Sequence, residues 1–162
     1  MKRTIKSVLI AVALTASFTK AQVVYAQNFD QGVEAAKKGD IGSALRIWRP
    51  LAAQGDADAQ FILGVMYAEG TGLAQDYKEA VRLFGLAAAQ GNAGAQSNLG
   101  VMYEKGEGVA QDYVRAHMWF NLGAISGDSK KALANRDRVA AKMTPAQIAE
   151  AQKLAREWKP KK

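Results

Sequence analysis

The residues able to move a proton or hold a metal are few. The 162-residue chain has one histidine, His117, and no cysteine. Histidine is the side chain that titrates near neutrality, so His117 is the first candidate for a general base. It stands in Ala116-His117-Met118-Trp119-Phe120, without an accompanying nucleophile or orienting acid, and reads as packing or surface. Ser17-Phe18-Thr19-Lys20 matches the S-x-x-K nucleophile pattern, but no Lys-Thr-Gly or Ser-Asp-Asn partner accompanies it. There is no H-E-x-x-H, G-x-S-x-G or phosphate loop. Asp76 and Asp112 follow glycine-bearing segments, which lack the dense oxygen ligands of calcium loops. Without cysteine there is neither a disulfide framework nor a thiolate metal site, and one histidine cannot make a His-rich site. The expectation is no catalytic residue, no metal ligand and no cofactor.

The elements around these residues are best taken in chain order. Lys2, Arg3 and Lys6 precede an apolar run, Ser7 to Phe18, that ends before Lys20. The uncharged stretch of 13 residues is short of the about 20 that a membrane-spanning helix needs. Val24-Tyr25-Ala26 places small residues where signal peptidase requires them, so residues 1–26 read as a signal peptide cleaved after Ala26, with Ala21 the weaker site. The alternatives are an uncleaved anchor or a buried helix. Export leads to the periplasm or outside the cell, without an integral span after cleavage. The formal net charge of +7 is unevenly placed. Residues 27–128 hold 8 basic and 12 acidic side chains, whereas residues 129–162 hold 10 basic and 3 acidic. A mildly acidic body repels phosphate, which argues against a nucleic-acid partner.

Internal repetition is the strongest signal. The segment from Ala57 recurs from Ala93 with a period of 36, pairing Leu63 with Leu99, Gly64 with Gly100, Tyr67 with Tyr103, Asp76 with Asp112 and Phe84 with Phe120. His117 has no counterpart, because Val81 stands there. A degenerate copy precedes these two, pairing Ala44 with Ala80 and Trp48 with Phe84. The organisation is residues 27–56 as an abbreviated repeat, 57–92 and 93–128 as full repeats, and 129–162 as C-terminal capping helices and a basic tail. Each repeat reads as helix–loop–helix. Asp56 and Asn92 are placed to cap first helices that run to about Glu69 and Lys105, and Asp76 and Asp112 to cap the second. Glu79 completes a capping box after Asp76, whereas Arg115 takes that position after Asp112. Leu63 and Tyr67 share a face with Ala59. Mid-helix Gly64 and Gly100 suggest a close approach by the partner helix. Pro50 predicts a kink or break near Arg46 to Pro50. One hairpin buries little apolar surface, and stacked hairpins share a core.

The pattern A-x-A-Q-x-x-L-G-x-M-Y-x-x-G-x-G, then D-Y-x-x-A, then a Gly-terminated Ala-rich helix resembles Sel1-like repeats, longer-looped relatives of tetratricopeptide repeats. The resemblance covers roughly residues 28 to 128. It implies an all-α chain, a short α/α solenoid with a C-terminal capping helix pair, that presents a curved surface to another protein or peptide and has no shared catalysis. Some relatives have been linked to β-lactam binding, which leaves a cell-wall-active or β-lactam-binding enzyme as the alternative. Self-assembly through the array ends is a third possibility.

Two surfaces are candidates for the partner. Taking Leu63 as inward, the opposite side of the first helices carries Asp58, Phe61, Val65 and Glu69, and in the next repeat Ser97, Val101, Glu104 and Lys105. In related tetratricopeptide arrays this side lines the groove. An apolar centre of Phe61, Val65 and Val101 with a polar rim is the usual make-up of an interface. The alternative, equally weighted, is that Phe61 and Val65 bury against the neighbouring hairpin. The C-terminal piece predicts two helices, the first capped by Asp128 or Ser129 and ending near Met143. The second starts at Thr144-Pro145 with Gln147 completing a capping box. Its basic residues either solvate an exposed cap or touch an anionic envelope surface weakly, and Trp158 favours the cap.

Overall fold

The computed structural model describes residues 28–127 and 129–161. The expected signal peptide, residues 1–26, and the Asp128 or Ser129 side-chain cap lie outside the described residues. All regular structure among the described residues is helical. The chain forms two compact units that divide between Ile47 and Trp48. The first contains helix α1, 28–37, a turn at 38–39, and the start of α2, Ile41–Ala53, where Asp40 accepts from the Ser43 amide at 2.9 Å. Proline does not break α2, which continues past Pro50 to Ala53. Of the expected kink or break, the break is absent: proline deletes a single helical hydrogen bond, and a helix with an apolar face to bury tolerates that loss.

The second unit is a succession of hairpins. Their helices are α3, Ala57–Glu69, α4, Tyr77–Ala89, α5, Ala93–Lys105, α6, Tyr113–Ser126, α7, Ser129–Ala140, and α8, Pro145–Glu157. Their starts follow the sequence chemistry. Asp56 accepts from the Ala59 amide at 2.7 Å and Asn92 from Ala95 at 2.9 Å. Asp76 accepts from the Lys78 and Glu79 amides, and Asp112 from Arg115. These caps satisfy amides that no preceding helical carbonyl can reach. The capping box expected at Glu79 does not form. The Asp76 amide that the box would engage donates instead to the Tyr67 carbonyl at 2.9 Å, and the Glu79 carboxylate pairs with Arg82 at 2.6 and 2.8 Å. A box does form at α8, between Thr144 and Gln147. Helix α7 ends at Ala140, earlier than the expected Met143, and residues 141–142 form a turn.

Packing runs in order: α3 on α4, α4 on α5, α5 on α6, then α7 and α8 both on α6. Phe84 and Phe120 are fully buried. Each ring lies on the mid-helix glycine of its hairpin partner. A Cβ at Gly64 would stand 2.7 Å from the Phe84 ring, and one at Gly100 only 2.6 Å from the Phe120 ring. Burying one such ring stabilises by about 1.5–3 kcal/mol, which outweighs the roughly 1 kcal/mol that mid-helix glycine costs. Ala87, Ala88, Ala95, Leu99 and Met102 continue the Phe84 core into the next hairpin. Phe120 continues into α7 through Val139.

Buried polar residues join the repeats. Gln60 Nε2 donates to the Ala52 carbonyl at 3.1 Å, and Gln96 Nε2 to the Ala88 carbonyl at 3.3 Å. Each glutamine therefore satisfies a last-turn carbonyl of the preceding helix. Within each repeat, Gln75 donates to the Ala68 carbonyl and Gln111 to the Glu104 carbonyl, fixing the long loops. The glutamine of A-x-A-Q is thus a connector between hairpins, a role that periodicity alone does not reveal. Its signal was a polar residue recurring at period 36 on a face otherwise apolar.

Candidate functional site

The eight residues of the expected face separate into three groups. Asp58, Glu69 and Lys105 are exposed. Asp58 accepts from Asn92 Nδ2 at 2.9 Å, Glu69 accepts weakly from the Thr71 hydroxyl at 3.5 Å, and Lys105 lies 3.5 Å from Glu107. Phe61, Val65 and Val101 are half-buried. The Phe61 ring lies 6.1 Å from Phe84 at a tilt of 42°, and over Gly94, where a Cβ would come within 2.8 Å of it. Val65 packs on the same core, and Val101 on the Phe120–Val139 cluster. These apolar side chains line the seams between hairpins while keeping part of their surface in solvent.

Ser97 and Glu104 are buried. Ser97 Oγ faces the α6 backbone where Gly123 permits contact, and a Cβ there would lie 2.5 Å from it. Glu104 meets α7. Arg138 donates to its carboxylate through Nε at 3.2 Å and Nη2 at 2.5 Å, and Lys142 Nζ donates at 3.2 Å. The Arg138 guanidinium, and after it Lys142, hold the Glu104 carboxyl below its ordinary value against the opposing effect of burial. In the second repeat, then, α7 occupies the ground beside Glu104 that the sequence left to a partner. On these first helices Asp58, Glu69 and Lys105 face solvent, and Phe61, Val65 and Val101 do so in part.

His117 is buried, and its Nδ1 has no hydrogen-bond partner. Burial, reinforced by Arg136, lowers its pKa, with Asp137 acting weakly in the other direction. His117 is thus a buried side chain of α6, and burial keeps its ring from taking a proton. A further feature escaped the sequence. A cleft of about 420 Å³ lies among the end of α2, α3 and α4, lined by Arg49, Gln60, Tyr67, Arg82 and Leu86 among others. Its polar wall is the bidentate Arg82–Glu79 pair. Among the described residues, no helix is long and apolar enough to cross a membrane.

The stacked helix hairpins, their glycine loops and their seam glutamines define a class: α/α repeat proteins whose exposed faces are built by successive hairpins. The Sel1 repeat model matches residues 57–92 and 93–128. The structure is similar to that of the Sel1 repeat protein from Oxalobacter formigenes, with a TM-score of 0.65 and 31% identity, over 78% of this chain and 98% of that one. It is also similar to a protective antigen present in uropathogenic Escherichia coli strains and displaying an SLR fold, with a TM-score of 0.77 and 30% identity over 83% of this chain. The present chain spans 29% of that antigen's length. No curated protein matches the sequence. The chain belongs to the Sel1 repeat family. Proteins of this family are generally scaffolds for protein interaction.

Proposed function

We propose that this chain is an exported scaffold that holds a peptide or an envelope protein on the first-helix face of α3 and α5, without covalent chemistry. The observation that carries the proposal is the division of that face. Asp58, Glu69 and Lys105 stand in solvent on the helices that carry the half-buried Phe61, Val65 and Val101, while much of the repeat signature is consumed by caps, loops and seams. An apolar centre within a charged rim suits a modest, reversible interface. Export rests on the basic, apolar and small-residue succession of residues 1–26, and places the scaffold in the periplasm or outside the cell.

The test is a crosslinking pull-down from the cell envelope with Asp58→Lys and Glu69→Lys. Both reverse rim charges on exposed side chains; Asp58→Lys also gives up the bond from Asn92, so Glu69→Lys, whose one contact is weak, is the cleaner probe. Phe61→Ala and Glu104→Lys are poorer probes, because the first empties a hairpin seam and the second sets a cation against Arg138 and Lys142. Capture is expected to fall with both rim variants and to persist with Gln152→Lys on the exposed side of α8. Undiminished capture by both rim variants dismisses this face.

A further inference from the structure

The residues after α8 turn back across the second helices. Trp158 leaves the helix in extended conformation, φ −67 and ψ 138. Its ring meets Trp119 of α6 edge-on, with centroids 6.3 Å apart. Three residues later the Lys161 amide donates to the Ala89 carbonyl at 2.7 Å, at the end of α4. That carbonyl is one of the last four of its helix, which no intrahelical amide can reach. Trp119 itself packs on the core around Phe84 and Ala88. The tail therefore bridges α6 and α4 through one aromatic contact and one backbone hydrogen bond, while Lys159, Pro160 and Lys161 stay exposed.

This is how a groove receives an extended peptide. The ring of Trp119 supplies an amphipathic platform, and the end of α4 supplies one acceptor oxygen, that of Ala89, and the negative pole of a helix dipole, which favours lysine. Pro160 keeps the segment extended at little entropic cost. We propose that the groove between α4 and α6 is a docking site for an extended segment in which an aromatic residue is followed by lysines, and that the C-terminal tail is its resident, displaceable occupant. Two anchors make a weak contact by themselves. The tether maintains it by holding the tail at an effective concentration on the order of millimolar. A partner segment of the same chemistry competes for the groove once it supplies additional contacts.

The full chain carrying Trp158→Ala and Lys161→Pro is compared with the unaltered chain. The first change removes the aromatic anchor and the second removes the donor amide. A synthetic peptide of residues 156–161 is titrated into each, and the Trp119 indole signal is followed by NMR. The expected result is a saturable shift of that signal in the double variant, a much smaller shift at equal peptide concentration in the unaltered chain, and none with a peptide in which alanine replaces the tryptophan. An unmoved Trp119 signal in the folded variant overturns the proposal, and so does an equal response in the two proteins. Should the double variant lose its dispersed spectrum, the same titration on Lys161→Pro alone decides, since that change removes the donor amide and leaves Trp158 in place.

Discussion

At the residue scale, glycine and glutamine carry the specificity of the array. Gly100 has the Phe120 ring where a side chain would be, whereas Gly85, within α4, has nothing within 4 Å of an added Cβ. The same substitution therefore acts in opposite directions. Gly100→Ala destabilises by about 1–3 kcal/mol through overpacking, even after the gain in helix propensity. Gly85→Ala stabilises by up to about 1 kcal/mol. Urea unfolding of the two variants measures both, and a stabilised Gly100→Ala would show that the ring does not rest on that helix. The glutamines add a second contrast. Gln90 Nε2 donates to Gln60 Oε1 at 3.0 Å, but 36 residues on Ser126 is too short to do the same, and Gln96 Oε1 is buried without a partner. Ser126→Gln is expected to supply the missing donor and raise stability by about 1 kcal/mol. A lower unfolding midpoint would refute that assignment.

At the element scale, α7 is held as the next first helix of the array, joined to α5 through Glu104. Because the Glu104 pKa is lowered on folding, its contribution is complete above the ordinary carboxylate value of 4.5 and is lost as pH falls through the lowered value. Glu104→Gln is expected to cost about 1–2 kcal/mol at neutral pH, discounted because Arg138 and Lys142 are half exposed. The variant should also show a shallower loss of stability in acid than the unaltered chain, measured by denaturant unfolding at several pH values. Parallel pH profiles would remove the ion pair from the account of α7. Much of this scale was legible in the sequence. Caps and glycines act within a few residues, so Asp56, Asn92, Asp76, Asp112 and Thr144 marked helix starts correctly. Glu104 was not legible, since its partners lie more than 30 residues away and only the return of α7 brings them near. Glu79 failed for a different reason: its partner Arg82 is one turn away, but the Asp76 amide that a capping box needs is taken by the Tyr67 carbonyl, a contact made only when the loop closes.

At the scale of the molecule, the repeat period showed the architecture because burial must recur wherever hairpins stack. It did not show which part of a recurring face stays open. Position 61 and its counterpart 97 carry a phenylalanine in a seam and a serine against Gly123, so equivalent positions meet different neighbours. The open part, Asp58, Glu69 and Lys105, emerges only after the caps, the seams and α7 have taken their share. Scaffolding on this side makes a spatial demand that a photo-crosslinking residue tests directly. Placed at position 69, and separately at 152 on the far cap, in the intact envelope of the producing cell, it reports what lies against each surface. The proposed function predicts a discrete protein adduct from position 69 and none from 152. Adducts from neither position, or from 152 alone, would contradict it.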